Sequence, residues 1–123
     1  MRYDESLVEL MDMIATLNSE VEDGALVVVE GKRDSEVLKM LGLKGEPFTL
    51  CQSSMERLLT RCIKHTRVIL MLDADREGER MAKRVRKVLE KHVRVEDYSR
   101  RILRITKGQV RHVEELKSFG WLR

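Results

Sequence analysis

Val68-Ile69-Leu70-Met71-Leu72-Asp73-Ala74-Asp75-Arg76-Glu77-Gly78-Glu79-Arg80 is the stretch on which the fold turns. Five apolar residues run unbroken and then meet acids at every second position: Asp73, Asp75 and Glu77. An aliphatic run of that length reads as a strand buried on both faces, the habit of a parallel sheet. The carboxylates after it do not belong in such a core, because a buried carboxylate has to be paired, protonated or metal-bound. They are expected where the strand ends and the chain turns, the edge at which open parallel sheets bind ligands. Gly78 permits a close backbone approach, and residues 79–91 continue as a helix. Oxygen donors gathered at such an edge suit Mg²⁺, which takes one or two carboxylates and keeps several waters. Taken alone, the same residues also describe a solvated turn whose acids favour the start of the next helix.

Upstream lies a matching run, Ala25-Leu26-Val27-Val28-Val29, which also ends in an acid, Glu30. Gly31-Lys32-Arg33 then makes a tight connection, and Asp34 is expected to N-cap a helix through Leu41, with Gly42 at its end. Earlier still, Leu7, Leu10, Ile14 and Leu17 recur with a helical period and predict an amphipathic helix over residues 4–19. Between the two apolar runs, Pro47-Phe48-Thr49-Leu50 reads as a short strand. Ser53-x-x-Glu56 is a capping-box pattern opening a helix over about residues 54–64. Downstream, Val93-Arg94-Val95 is a weakly signalled fourth strand. Asp97 is expected to cap a helix over residues 98–107 that Gly108 ends, and Val110, Val113 and Leu116 suit a last short helix. Strand and helix alternate, so the expected fold is α/β, with a mostly parallel four-stranded sheet flanked by helices. Right-handed crossovers place all carboxyl ends on one edge. If the strands ending at Glu30 and Asp73 are neighbours, Glu30, Asp73 and Asp75 converge.

The chain has 123 residues, the size of one domain. Charged residues make up 37% of it, against roughly 25% in an average soluble protein. The charge is unevenly placed. From Arg76 onward 15 Lys/Arg face 7 Asp/Glu, a balance of +8, whereas the residues before it carry 9 and 14, a balance of −5. A basic half beside an acidic cluster fits a polyanion partner, and fits an ordinary solvated helical surface nearly as well. No apolar segment approaches the length of a membrane span. Acids at Asp4 and Glu5 stand where a signal peptide would carry its apolar core. Cys51 and Cys62 form no C-x-x-C pair and read as reduced thiols, so a cytoplasmic protein is expected. His65, His92 and His112 show no ligand spacing with each other or with the cysteines, which argues against zinc.

Two of these motifs together resemble the Toprim domain, which is shared by topoisomerases, bacterial primases, certain nucleases and recombination proteins. Val27-Val28-Val29-Glu30-Gly31-Lys32-Arg33-Asp34 is similar to the family's glutamate motif. The stretch from Val68 to Gly78 is similar to its D-x-D motif, which Glu77 extends to D-x-D-x-E. The resemblance covers about residues 25–95, leaving the N-terminal helix and a C-terminal extension over 96–123 outside it, all within one domain over 1–123. Among small members the pattern is most similar to the ribonuclease that matures 5S ribosomal RNA precursors and to stand-alone archaeal Toprim proteins. The resemblance implies Glu30 as general acid or base, Asp73 and Asp75 as the metal-binding pair, and Glu77 as a third acid. It implies Mg²⁺, with Mn²⁺ able to substitute, and a nucleic acid, RNA or DNA, as partner. Lys32, Arg76 and Arg80 lie close to these acids in sequence and are candidates for phosphate contacts. Tyr98 reads as a packing residue, since the strand-cleaving tyrosine of topoisomerases lies outside the Toprim fold.

The expected function is an Mg²⁺-dependent nucleic-acid phosphodiester enzyme, a nuclease. The alternative is a non-catalytic nucleic-acid-binding module or subunit of a larger complex. A dehalogenase-like phosphatase also carries D-x-D after a strand, but there the pair normally ends the first strand rather than the third. Gly31-Lys32 lacks the rest of a phosphate-binding P-loop.

Overall fold

The computed structural model describes residues 5–119. Asp4, expected as the first residue of the N-terminal helix, lies outside them, as does the end of the C-terminal extension (residues 120–123). The elements run α1 (Glu5–Glu22), β1 (Ala25–Val29), α2 (Lys32–Met40), β2 (Phe48–Thr49), α3 (Met55–Cys62), β3 (Arg67–Met71), α4 (Arg76–Leu89), β4 (Arg94–Asp97), α5 (Ser99–Ile105) and α6 (Leu116–Phe119). Short 3₁₀ turns follow β2 at Leu50–Gln52 and precede α6 at Val113–Glu115. None of the described helices is long and apolar enough to cross a membrane.

The four strands form one parallel sheet in the order β2-β1-β3-β4. Alternate residues of the two central strands point to opposite faces, and both faces are covered. Val27, Val29, Ile69 and Met71 pack with α1, α2, α5 and the C-terminal segment. Leu26, Val28, Val68 and Leu70 pack with α3 and α4. This explains why the strands read as unbroken apolar runs rather than as alternating ones.

Strand order also fixes where a ligand can enter. From β1 the chain crosses to β2 on one side, and from β3 it crosses to β4 on the other. The helices therefore lie on opposite faces, α2 on one and α4 on the other. That reversal opens a crevice between the carboxyl ends of β1 and β3, the switch point at which sheets of this kind bind ligands. Val29 pairs with Met71, which puts Glu30 and Asp73 at the mouth of that crevice.

The elements expected from sequence are present, with shifted ends. Asp34 is not the N-cap of α2: the helix starts at Lys32, and Asp34 reaches back from its first turn to accept the Gly31 N–H at 3.0 Å. Ser54 rather than Ser53 caps α3, its hydroxyl accepting the Arg57 N–H at 3.2 Å. The last apolar residue, Leu72, is buried but lies past β3. Helix α4 begins at Arg76, three residues before the expected start, because Asp75 caps it by accepting the Gly78 N–H at 2.7 Å. Tyr98, not Asp97, occupies the N-cap position of α5, without a side-chain cap bond, while Asp97 accepts the Ser99 N–H at 2.9 Å. Tyr98 is buried and carries the Arg101 guanidinium 4.6 Å above its ring, the packing role expected of it.

Candidate metal centre

Asp73 leaves β3 and turns its carboxylate into the switch-point crevice. Its Oδ1 accepts the Val113 N–H at 2.9 Å, and its Oδ2 lies 3.3 Å from His112 Nδ1. The Asp75 carboxylate is split in the same way, with Oδ1 on the Gly78 N–H and Oδ2 3.5 Å from the same imidazole nitrogen. Ligand atoms of Asp73, Asp75 and His112 all lie within 4.8 Å of one another. Two carboxylates and an imidazole form a donor set that fits a divalent cation. Carboxylates suit Mg²⁺ and Mn²⁺, and the imidazole favours Mn²⁺ over Mg²⁺. Outer bonds from Val113 and Gly78 hold both carboxylates in place, as ligands generally require.

Close approach at this turn depends on Gly78. A Cβ there would stand 1.9 Å from the Asp73 carbonyl oxygen, so only glycine lets α4 start against the end of β3.

Glu30 follows β1, and its carbonyl accepts the Cys51 N–H at 2.9 Å, which ties the end of β2 to the crevice. Burial pushes the Glu30 carboxyl from the ordinary 4.5 up to about 7, reinforced by the Asp73 carboxyl beside it and by the charges of Asp75 and Asp34. Asp34, buried at 8% exposure, is also pushed up by desolvation, with the Gly31 N–H pulling the other way. The Asp73 carboxylate raises His112 above its ordinary value despite some desolvation. A cavity of about 440 Å³ opens here, lined among others by Glu30, Asp34, Asp73 and His112.

The other residues expected at the site stand apart. Glu77 is exposed in the first turn of α4 and is not among the three residues whose ligand atoms converge. Lys32, Arg76 and Arg80 are exposed, and among the described residues none makes an ion pair with the site's acids. His112 was not expected. It arrives on the C-terminal segment, which runs along the D-x-D turn: the Ala74 N–H donates to the Arg111 carbonyl at 2.6 Å, and Arg111 Nη1 reaches the Ala74 carbonyl at 3.4 Å. Val110, Val113 and Leu116 anchor this segment in the core at 4%, 1% and 0% exposure. Those three apolar residues were the available signal: a segment with a buried face has to dock, and His112 travels with Val113.

Residues 25–106 match the Toprim domain, starting at the residue where the resemblance began and running on through α5. A UPF0292 protein of Thermococcus gammatolerans is 34% identical over 93% of this chain and 85% of its own length. A UPF0292 protein of Methanocaldococcus jannaschii is 35% identical over 69% of this chain and 67% of its own. A solved protein from Aquifex aeolicus superposes with a TM-score of 0.73 at 25% identity, covering 86% of this chain and 96% of the other. The chain belongs to the Toprim domain family, among its small UPF0292 members, and with it to proteins that bind divalent metal and associate with nucleic acid.

Proposed function

We propose that the protein is a metal-dependent phosphodiesterase acting on nucleic acid, a nuclease of the Toprim type. One observation carries the reading: a carboxyl that titrates at about 7, Glu30, faces a group of three convergent ligands across the switch-point crevice. A general acid or base works best with its pKa near the operating pH. A cation held by the two aspartates would lower the Glu30 carboxyl from the value it has in the metal-free site. Asp73, Asp75 and His112 would hold the cation, Mg²⁺ or Mn²⁺, with the exposed carboxylate of Glu77 at the rim. Bound there, a divalent cation stabilises charge developing on a phosphoryl oxygen. Glu30 takes a proton from the attacking water or gives one to the leaving oxygen. His112 has to ligate as the neutral imidazole, so binding of the cation would work against the Asp73 carboxylate, which favours the protonated ring. Val113 and Gly78 keep the two aspartates aimed throughout.

The second reading, a non-catalytic binding module, is favoured by the same C-terminal segment. Both oxygens of Asp73 already have partners in His112 and the Val113 N–H. Incubating the pure protein with single-stranded, duplex and hairpin RNA and DNA in Mn²⁺, Mg²⁺ or EDTA separates the two. The nuclease reading expects cleavage in Mn²⁺ that is lost both in EDTA and in Asp73→Asn/Asp75→Asn. Binding to these substrates with no cleavage in either metal would leave the module.

A further inference from the structure

A second and larger concavity, about 800 Å³, lies between α4 and α5 and meets the metal edge at Ala74. Its walls carry six cations: Lys83 and Arg86 from α4, Arg100 and Arg104 from α5, then Lys107 and Arg111. Glu79 and Asp97 are the acids in the same walls, and Asp97 Oδ1 already accepts the Ser99 N–H at 2.9 Å. Among the described residues Arg86 reaches only Glu90, at 3.5 Å, outside the groove, and Lys83, Arg100, Arg104 and Lys107 make no ion pair. Arg111 sits at the junction, its guanidinium on the Ala74 carbonyl between the two metal-binding aspartates.

An ordinary solvated helical surface intersperses its charges, as Arg86 and Glu90 do. Here six cations outnumber two acids on one concave wall, an excess of positive charge that focuses potential and draws in a polyanion. The groove ends where a phosphate would have to be delivered. Among the described residues none that lines it is aromatic, so these walls offer no platform for base stacking. Contacts to phosphate fix position and register without reading sequence. The positions expected to meet phosphate, Lys32, Arg76 and Arg80, are not among its lining residues.

We propose that the α4–α5 groove is the track for the phosphodiester backbone of a nucleic-acid strand, leading it to the Asp73–Asp75 edge without sequence preference. The proposal rests on the nuclease reading for what happens at that edge, but not for binding. It is tested by fluorescence anisotropy in EDTA, where nothing can be cleaved. Labelled single-stranded RNA, single-stranded DNA and duplex DNA, each in two unrelated sequences, are titrated between 50 and 200 mM salt. Arg100→Ala/Arg104→Ala removes two cations from one wall, and Lys83→Ala/Lys107→Ala repeats the test with other exposed residues. Arg57→Ala/Arg61→Ala, on α3 and outside the groove, is the control of equal charge.

Wild type should bind with an affinity that falls linearly on the log–log salt plot and changes only a few-fold between sequences. Each groove double variant should bind about tenfold or more weakly at ~100 mM salt, with a slope shallower by about 1.4–1.8, the share of two phosphates. The α3 control should stay close to wild type. Equal losses in groove and control variants, unchanged binding in the groove variants, or no binding by wild type at the lowest salt would each overturn the proposal. The nuclease reading fails separately: groove-dependent binding with no cleavage in Mn²⁺ sinks that reading alone, and groove-independent binding with Mn²⁺ cleavage sinks the track alone.

Discussion

A glutamate at a strand end, half-buried beside two aspartates, keeps its proton up to about pH 7. Between its ordinary 4.5 and about 7 the folded chain therefore holds more protons at Glu30 than the unfolded chain does. The sign follows: this carboxyl lowers stability as pH rises through that window. Glu30→Gln removes the penalty. Without metal, the variant should gain on wild type by about 1–2 kcal/mol between pH 4.5 and 8, less than the full shift because solvent screens a partly exposed carboxyl. Thermal melts across that range check it. In the nuclease reading the same variant cleaves about 10²–10⁴-fold more slowly while binding substrate as before. Unchanged cleavage by folded Glu30→Gln would remove Glu30 from proton transfer. Glu30, Asp73 and Asp75 were legible in sequence because each closely follows an apolar run, and burial forbids such acids a place in the core. His112 was not legible. Its neighbour Val113 meets Asp73 across forty positions of sequence, and no local spacing records a contact made by a docked tail.

Among the elements, the start of α4 carries the tightest constraint. Gly78→Ala would drive a methyl group against backbone, not against a side chain that could swing away. Overpacking of this kind costs about 1–3 kcal/mol or more. The cost here also displaces the Asp75 cap and with it a candidate ligand. The variant should melt well below wild type, with weaker Mn²⁺ binding in whatever fraction folds. A wild-type melting temperature would show that the β3–α4 turn can open to admit a Cβ at residue 78. Both central strands were readable from their unbroken apolar runs. Their order was not: β2 is two residues long, and the crossing that creates the switch point depends on which edge it joins. Helix starts moved by one to three residues because Asp34, Ser54 and Asp75 act at cap or first-turn positions that a sequence pattern fixes only loosely.

At the scale of the whole molecule, the acidic first half and basic second half meet at one edge of the sheet. Acids from the ends of β1 and β3 form the centre, while α4, α5 and the C-terminal segment bring the cations and His112 beside it. Sequence showed this imbalance but could not tell a binding face from a solvated one, because only the folded sheet brings cations of α4 and α5, which pack on its opposite faces, to line one groove. The proposed reaction requires Asp73, Asp75 and His112 to bind a divalent metal. Both aspartates can be changed without unmaking the fold, since asparagine keeps the acceptor for Val113 and remains a good cap for Gly78. The most direct test is titration with Mn²⁺ followed by electron paramagnetic resonance, on wild type, Asp73→Asn/Asp75→Asn and His112→Ala. Wild type should bind saturably and His112→Ala about tenfold or more weakly, the scale of losing a group that holds or orients the ion. The double variant should bind no Mn²⁺ while melting as a folded protein in metal-free buffer. Mn²⁺ bound by the folded double variant as tightly as by wild type would show that these aspartates do not hold the metal.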